Sequence, residues 1–311
     1  MTISHRYIGI DISKDTLDIG YEDGSKLPQI KNKLGDVDRF LAALPQLTTV
    51  VFEATGAYGR LLEKRLTAYA IAFVKVNPGR ARDFARATSL LAKTDAIDAH
   101  MLARMGRSLA LVPSQPRDDE REHLNDLTVR RDQLVATRSD EARRLKTAAD
   151  GESIASLKAH ITWLTAGITR LEGLIKKALA SATFKETRQK LTTAPGIALI
   201  NAAVLIAQLP ELGQRSAKTI AALVGLAPFN NDSGRFRGQR HIRGGRRRVR
   251  RALYVAAVTA VRKDKHFKAI YDRIRARSGH VKVALVAVAR KLLIALNAMM
   301  KSGPNFQSNA T

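Results

Sequence analysis

The sequence predicts an α/β domain followed by an all-α region. Residues 5 to about 108 alternate short β-branched runs with helical patterns, in the order strand, strand, strand, helix, strand, helix, strand, helix, helix. Beyond them, apolar residues recur mainly at helical spacing. Short turns between the early strands predict antiparallel pairs, and the later strand–helix–strand steps predict parallel neighbours. We therefore expect a mixed sheet covered by helices.

Local signals place the elements of this first region. An apolar run from Tyr7 predicts the first strand, and a second strand-like stretch from Thr16 follows its turn. Further elements are expected as a strand near Lys26–Lys31, a helix Val37–Leu44 capped by Asp36, a strand Thr49–Glu53, a helix Tyr58–Ala70 and a strand Ile71–Val76.

Prolines and apolar spacing divide the chain into domains. Pro113 to Pro116 mark a boundary, and a long polar helix from Asp118 to about Ala148 follows. The next helix has an apolar seam spaced by four and three, formed by Leu157, Ile161, Leu164, Ile168, Leu171 and Ile175. We expect a coiled-coil hairpin, which either closes on itself or offers a face to another subunit. The predicted domains are 1–112, 113–183 and a helical 184–303, with a disordered tail 304–311.

The net positive charge is the most informative feature of the composition. The 311 residues hold 53 Lys and Arg against 28 Asp and Glu, a formal net charge of +25. Such a surplus suits a polyanion, and nucleic acid is the commonest one inside a cell. An anionic membrane surface is the alternative, but no helix combines a basic face with an aromatic-rich apolar face.

Other features of the composition concern the compartment. The chain has no cysteine, which excludes disulfides and thiolate metal sites and fits a reducing cytoplasm. Its start has no apolar signal core, and no apolar run of membrane length is evident. We therefore expect a soluble cytoplasmic protein.

Acidic residues occur where the elements of the first region begin or end. Asp11 and Glu53 each lie at the carboxyl end of an apolar strand, where ligands bind in open α/β sheets. Asp95 and Asp98 are three residues apart after Thr94, a candidate N-cap, and so share one helix face. Each position also has an ordinary interpretation, because Asp is common in turns and acids complement the start of a helix.

Taken together, four carboxylates in one domain predict a cation site. They would repel one another unless divalent cations held them, and hard oxygen ligands suit Mg²⁺ or Mn²⁺. Two such ions about 4 Å apart can activate an attacking oxygen and stabilise a leaving one in phosphodiester chemistry. A basic protein with this site is expected to cut or join nucleic acid.

The sequence resembles the DEDD-type insertion-sequence transposases in three motifs: Gly9-Ile10-Asp11 with Ser13-Lys14, Glu53-Ala54-Thr55-Gly56, and Lys93-Thr94-Asp95-x-x-Asp98-Ala99. That family includes Piv-type invertases and bridge-RNA-guided recombinases. The order of strands and acids also resembles the ribonuclease H-like fold of Holliday-junction resolvases. The resemblance implies a RuvC-like catalytic domain, DNA as substrate, an element-encoded guide RNA and a homo-oligomer, dimer or tetramer, assembled through the coiled coil.

A glycine- and arginine-rich stretch is the second focus of the sequence. It carries no acid from Arg235 to Arg251, and we expect its cations to bind a nucleic-acid backbone. The residues concerned are Arg235, Arg237, Arg240, Arg243, Arg246, Arg247, Arg248, Arg250 and Arg251. Upstream, Pro195-Gly196-Ile197-Ala198 is either a phosphate-binding helix-hairpin-helix turn or a plain helix–helix corner.

Ser233 precedes the arginines in an Asn-Asp-Ser-Gly sequence. Turn chemistry alone explains these residues. The family resemblance implies instead that Ser233 is a nucleophile that forms a phosphoserine link with DNA, activated by metal-bound carboxylates.

We thus expect a Mg²⁺-dependent transposase or site-specific recombinase. In a metal-dependent, structure-specific nuclease of the Holliday-junction type, Ser233 would be a turn residue only. In a non-catalytic nucleic-acid-binding protein, Asp11 would matter only for stability.

Overall fold

The computed structural model describes residues 6–25, 27–54, 56, 58–88, 95–114, 118–229, 232–233, 236–237, 241–303 and 306. Side chains are described for the same residues except 95–97, 229, 232–233 and 236–237. The chain divides into two compact units, residues 1–117 and 118–311.

The first unit is built on a five-stranded mixed sheet with the strand order β3-β2-β1-β4-β5. Its strands β1 to β3 pair antiparallel, while β1, β4 and β5 run parallel. The strands are β1 Arg6–Ile12, β2 Thr16–Tyr21, β3 Ile30–Lys31, β4 Thr48–Glu53 and β5 Ala72–Val76. The helices are α1 Leu34–Ala42, α2 Arg60–Ala68, α3 Pro78–Ala87 and α4 Asp95–Ser108. The predicted mixed sheet with helices is confirmed.

Each face of this sheet has its own hydrophobic core, as the period-two alternation of a strand requires. On one face, Ile8, Ile10 and Phe52 pack with Leu41 of α1 and Leu62 of α2. On the other face, a second cluster joins the sheet to α4, with Val51, Val74, Met101, Leu102 and Met105 among its members. The acids at the strand ends therefore belong to one face or the other according to their parity along the strand.

Two local expectations for this unit are wrong. Asp36 does not cap α1, because that helix begins at Leu34 and its N-cap is Lys33. Asp36 lies instead in the first turn of α1, where its charge complements the helix dipole. The third strand is shorter than expected, because among the described residues 27–31 only Ile30 and Lys31 form the ladder with β2.

Two other residues of these expectations have no described structure. Lys26, expected at the start of the third strand, and Thr94, expected as the N-cap of α4, lie outside the described residues.

The second unit consists mainly of helices. They are α5 Asp119–Leu145, α6 Gly151–Ala178, α7 Ala182–Thr192, α8 Leu199–Gln208, α9 Ala217–Val224, α10 Arg247–Lys263, α11 Lys265–Ser278 and α12 Val281–Ser302. The expectation that this region is helical throughout is wrong, because four two-residue strands separate α9 from α10. These are β6 Pro228–Phe229, β7 Asp232–Ser233, β8 Phe236–Arg237 and β9 His241–Ile242.

The helices α5 and α6 pack along the predicted apolar seam. Leu164, Ile168, Leu171 and Ile175 are buried, and they share one hydrophobic cluster with residues of α8, α10 and α12. The hairpin and the following helices are thus joined by a continuous core. The division of this unit into separate domains at residue 183 stays a prediction.

The helix–helix corner interpretation fits the turn between α7 and α8. Gly196 has a φ of +84°, and a methyl group there would overlap the carbonyl oxygen of Ala256 in α10. This side of the turn is therefore occupied by protein.

The last helix is long and apolar enough to cross a membrane by length and composition alone. The expectation that the sequence has no such run is therefore wrong for α12. Half of its most apolar window is buried within the protein, and Leu292, Leu293 and Leu296 belong to the core of the second unit.

Candidate active site and nucleic-acid surface

Asp11 and Glu53 end two neighbouring parallel strands at the same level. The last paired residues of β1 and β4 are Ile10 and Phe52, so the next residues along the two strands are Asp11 and Glu53. Side chains at matching positions of parallel strands point to the same face, and adjacent strands lie about 4.8 Å apart. The register therefore brings the two carboxylates side by side.

The face that carries both acids is the one covered by α4. A methyl group at Gly9, two residues before Asp11, would overlap the carbonyl oxygen of Ala99. On the same face, a methyl group at Gly106 would lie 2.8 Å from Cγ2 of Val51, two residues before Glu53. Since side chains alternate along a strand, Asp11 and Glu53 face α4 as Gly9 and Val51 do.

The direction of α4 brings its first turn to these acids. Gly106 lies over Tyr7, whereas Ala99 lies over Gly9, so the helix runs antiparallel to β1. One turn before Ala99, the backbone advances by about 5.4 Å toward the end of the strand, where Asp11 lies. The helix start that carries Asp95 and Asp98 is thereby directed to the carboxyl ends of β1 and β4.

Asp11, Glu53 and Asp98 are each partly buried. All three have interaction partners. The side chain of Asp95 lies outside the described residues. Within the described part of the chain, no three His, Asp or Glu side chains are close enough together to hold one metal ion. By strand register and helix direction, the acids nevertheless share a face and an end of the sheet. Their oxygen donors suit a hard divalent cation.

Sequence reasoning missed a further carboxylate on this face. Asp18 of β2 is the antiparallel partner of Asp11, and its Oδ2 accepts a hydrogen bond from Nε2 of Gln29 at 2.9 Å. Like charges directly opposite each other destabilise a strand pair, which increases the need for a cation nearby. The signal was present in the sequence, because the short turn after β1 fixes the register that pairs residue 11 with residue 18.

One side chain connects the loops that follow the two acid-bearing strands. Nδ2 of Asn32 donates to the backbone oxygens of Ser13 and Tyr58, both at 3.1 Å. Ser13 follows β1, and Tyr58 lies in the connection from β4 to α2. Asn32 thus holds the two loops at a fixed separation beside the strand ends.

Ser233 lies near the tip of a narrow hairpin. The outer ladder pairs β6 with β9, and the inner ladder pairs Asp232 with Arg237 and Ser233 with Phe236. Only residues 234 and 235 separate Ser233 from its partner Phe236. The side chain of Ser233 lies outside the described residues, so its predicted role stays a prediction.

Three of the arginines expected to bind nucleic acid already have partners within the second unit. The guanidinium of Arg246 donates to both carboxylate oxygens of Glu211, at 2.5 and 2.6 Å. Nη2 of Arg248 donates to Asp132 of α5 at 2.7 Å. Nη1 of Arg250 donates to the carbonyl oxygen of Gly244 at 2.5 Å. Arg246 and Arg250 thus hold the base of the hairpin, and Arg248 joins α10 to α5.

Electrostatics reinforces the first of these contacts. Burial raises the pKa of Glu211, but the hydrogen bonds and the charge of Arg246 outweigh it, so that the net pKa is lowered.

Among the other predicted arginines, Arg243, Arg247 and Arg251 are exposed. The side chains of Arg235, Arg237 and Arg240 lie outside the described residues.

Comparisons with known proteins cover both units. A model of the DEDD-type IS110 transposases matches residues 8–153, and a model described as the transposase IS116/IS110/IS902 family matches residues 188–272. A Streptomyces coelicolor protein, "Insertion element IS110 uncharacterized 43.6 kDa protein", is 33% identical over 120 residues, which are 38% of this chain and 30% of that protein. The pilin gene-inverting proteins of Moraxella bovis and Moraxella lacunata are 26% and 28% identical, over 98% of each chain. The chain belongs to the IS110 family of DEDD-type insertion-sequence transposases.

Proposed function

We propose that this chain is a DNA transposase or site-specific recombinase that cuts and rejoins DNA by phosphodiester transfer. The observation that carries the proposal is the register of β1 and β4, which sets Asp11 beside Glu53 under the first turn of α4. Inversion of a gene segment, the activity named for the Moraxella relatives, is a reaction of this class.

The strand order supports a ribonuclease H-like, RuvC-like assignment for the first unit. Three antiparallel strands followed by two parallel ones, with acids at the ends of β1 and β4, match the expectation from the sequence. Asp11, Glu53, Asp95 and Asp98 would hold Mg²⁺, or Mn²⁺ in its place. The bound cations would supply charge stabilisation at the scissile phosphate and a lowered pKa for an attacking oxygen.

Ser233 is proposed as the nucleophile. Its Oγ forms a bond to phosphorus while the bond from phosphorus to one deoxyribose oxygen breaks. The serine proton passes to a carboxylate, and the released deoxyribose oxygen takes up a proton as a hydroxyl. Attack by a hydroxyl of another strand on the phosphoserine reverses these changes and joins the DNA, so no external energy source is needed. Support for this role comes from the family and from the position of Ser233 near a hairpin tip.

The proposed partners are DNA, an element-encoded guide RNA and further copies of the chain, in the cytoplasm. The RNA rests on the family resemblance alone. A dimer or tetramer is supported by the outer side of α6, where Trp163 is 62% exposed and Leu174 44% exposed although both are large and apolar.

Covalent trapping in cells that carry the gene with its native flanking DNA tests the proposal without a chosen substrate or guide. Denatured protein is isolated, and attached DNA is quantified for wild type, Ser233→Ala and Asp11→Asn. The controls are Ser302→Ala and Asp83→Asn, which alter an exposed serine of α12 and an exposed acid of α3. We expect an adduct with wild type and both controls and none with the two site variants.

Two other results would redirect the assignment. Nicks that depend on Asp11 but form without any adduct, and persist in Ser233→Ala, would establish a metal-dependent nuclease in which Ser233 is a turn residue. Absence of both adducts and nicks in every variant, with DNA still bound, would support a non-catalytic nucleic-acid-binding protein.

A further inference from the structure

We propose that the corner between α11 and α12 is a second DNA-backbone contact, separate from the arginine-rich stretch 235–251. We define the corner surface as Arg273, Arg277 and Lys282, which are all exposed. Arg273 and Arg277 are four residues apart on one side of α11, and Lys282 lies in the first turn of α12. The proposal rests on the proposed function, since it assumes that the protein binds DNA.

The corner surface lacks neighbouring acids, in contrast to several arginines on other helices. Along the other helices, arginines repeatedly pair with an acid three residues earlier, as in Arg39 with Asp36, Arg86 with Asp83, Arg121 with Asp118, Arg143 with Asp140 and Arg144 with Glu141. Among the described residues, no carboxylate lies within 4.0 Å of the charged nitrogens of the corner surface. Its charge is therefore not neutralised locally.

The acids of α11 itself are engaged elsewhere. Asp264 caps the helix, where its Oδ1 accepts from the backbone nitrogen of Phe267 at 3.0 Å. Asp272 lies three residues before Arg275, but its Oδ2 is 3.1 Å from Nζ of Lys268. Neither acid is thus placed to balance the arginines in the second half of the helix.

Interaction with the helix dipole explains only part of this arrangement. Arg275 and Arg277 are in the last turn of α11, where cations are favourable. Arg273 lies before that turn and is four residues from Arg277, a spacing at which like charges repel on a helix. Lys282 is in the first turn of α12, where the dipole opposes a cation, and that turn contains no acid. A bound polyanion would remove both penalties.

Duplex DNA is the polyanion that fits the proposed function. Its backbone carries about one charge per 1.7 Å of axis, and contacts to it need charge rather than a shaped pocket. Arg273 and Arg277 are about 6 Å apart along the axis of α11, which spans about two phosphates of one strand at about 3.4 Å of axis each. We expect the corner surface to add affinity without sequence preference.

The test compares binding of full-length protein to a random-sequence duplex of about 30 base pairs over a range of salt. The triple variant Arg273→Gln, Arg277→Gln, Lys282→Gln removes three corner charges. Its matched control, Lys176→Gln, Lys177→Gln, Lys185→Gln, removes three exposed charges elsewhere in the same unit. Circular dichroism checks that each protein is folded.

We expect the corner variant to bind the duplex at least about tenfold more weakly near 0.1 M salt. Its slope of log K against log salt should be less steep by about 2.7, since each of the three lost phosphate contacts contributes about 0.9. The control should keep nearly the wild-type slope. Equal slopes for the two triple variants would overturn the inference and leave the proposed function intact. A weakened affinity for structured RNA but not for the duplex would also overturn it. If wild type itself bound no duplex, this inference would fail, whereas the proposed function, which includes a guide RNA, would still be decided by covalent trapping.

Discussion

The contact between Arg246 and Glu211 should be a main stabilising feature at the base of the Ser233 hairpin. Arg246 begins the approach to α10 as its N-cap, and Glu211 lies between α8 and α9. The guanidinium also donates to the carbonyl oxygen of Gln208 at 2.8 Å. Replacing Glu211 by Gln removes the carboxylate that pairs with the partly buried guanidinium of Arg246, so we expect the second unit to be destabilised.

The magnitude follows from the geometry. The pair is bidentate, and the two side chains are only 33% and 24% exposed, so that solvent screens it incompletely. Hydrogen bonds to charged groups contribute about 1.5–3 kcal/mol each, whereas exposed ion pairs contribute less than about 1 kcal/mol. For a half-buried pair we expect Glu211→Gln to lower the free energy of unfolding by about 2 kcal/mol.

The pH dependence has a definite sign. Because the pKa of Glu211 is lowered in the folded protein, its stabilisation is complete above the unfolded pKa and is lost as the pH falls through the folded pKa. Wild type and Glu211→Gln should therefore differ at pH 7, and the difference should shrink as the pH falls below the unfolded pKa of about 4.3 and vanish below the lowered folded pKa.

Urea unfolding monitored by circular dichroism, at pH 7 and below about pH 4, measures these differences. A double-mutant cycle with Arg246→Met separates the pairwise contribution from the cost of each replacement. Lys190 and Glu186 offer a comparison, since the Glu186 side chain of that ion pair is 80% exposed and Glu186→Gln should change stability little. A coupling below about 0.5 kcal/mol between Arg246 and Glu211 would refute the reasoning.

Three further predictions concern the site and the helix ends. Gly9→Ala should destabilise the first unit by about 3 kcal/mol or prevent its folding, since the new methyl group meets the backbone of α4. Gly35→Ala, in the open first turn of α1, is the control and should be neutral or stabilising. Thermal unfolding distinguishes the two variants. Asp150→Ala should lower the melting temperature, because the Asp150 carboxylate caps α6. The hydrogen bond from the backbone of Ser153 lowers the pKa of Asp150. The stability advantage of wild type should therefore be lost as the pH falls below about 4. Calorimetric titration with Mn²⁺ should show binding to wild type that is weakened at least tenfold in Asp11→Asn, and unchanged affinity would contradict the cation site.

Much of the first unit could be predicted from the sequence because its signals are local. Strand ends, turn lengths and the parity of side chains along a strand together fix the register, and the register determines that Asp11 and Glu53 share a face. The close approach of α4 also had a signal, in the glycines at positions 9, 20 and 106, although its meaning depends on which residues face each other across the sheet.

The small strands between α9 and α10 could not be predicted in the same way. Two-residue ladders are too short to show the apolar alternation by which longer strands are recognised. Their pairing depends on backbone hydrogen bonds that almost any residue can make. Gly, Asn and Asp near residue 231 indicated a turn, whereas the structure has Asp232 and Ser233 in a short strand paired with Arg237 and Phe236.

The arginines show most clearly what a charge count leaves out. Glu211 is 35 residues from Arg246 and Asp132 is 116 residues from Arg248, so local spacing gives no sign that either arginine is neutralised. The absence of acids within 235–251 was correct as a statement about sequence, but acids from distant helices supply the missing partners. The net charge of +25 is therefore distributed unevenly, with some cations stabilising the fold and others remaining exposed without a nearby carboxylate. Only the second kind can release counterions when DNA binds, which is why the salt dependence of binding, rather than the total charge, measures the true contact surface.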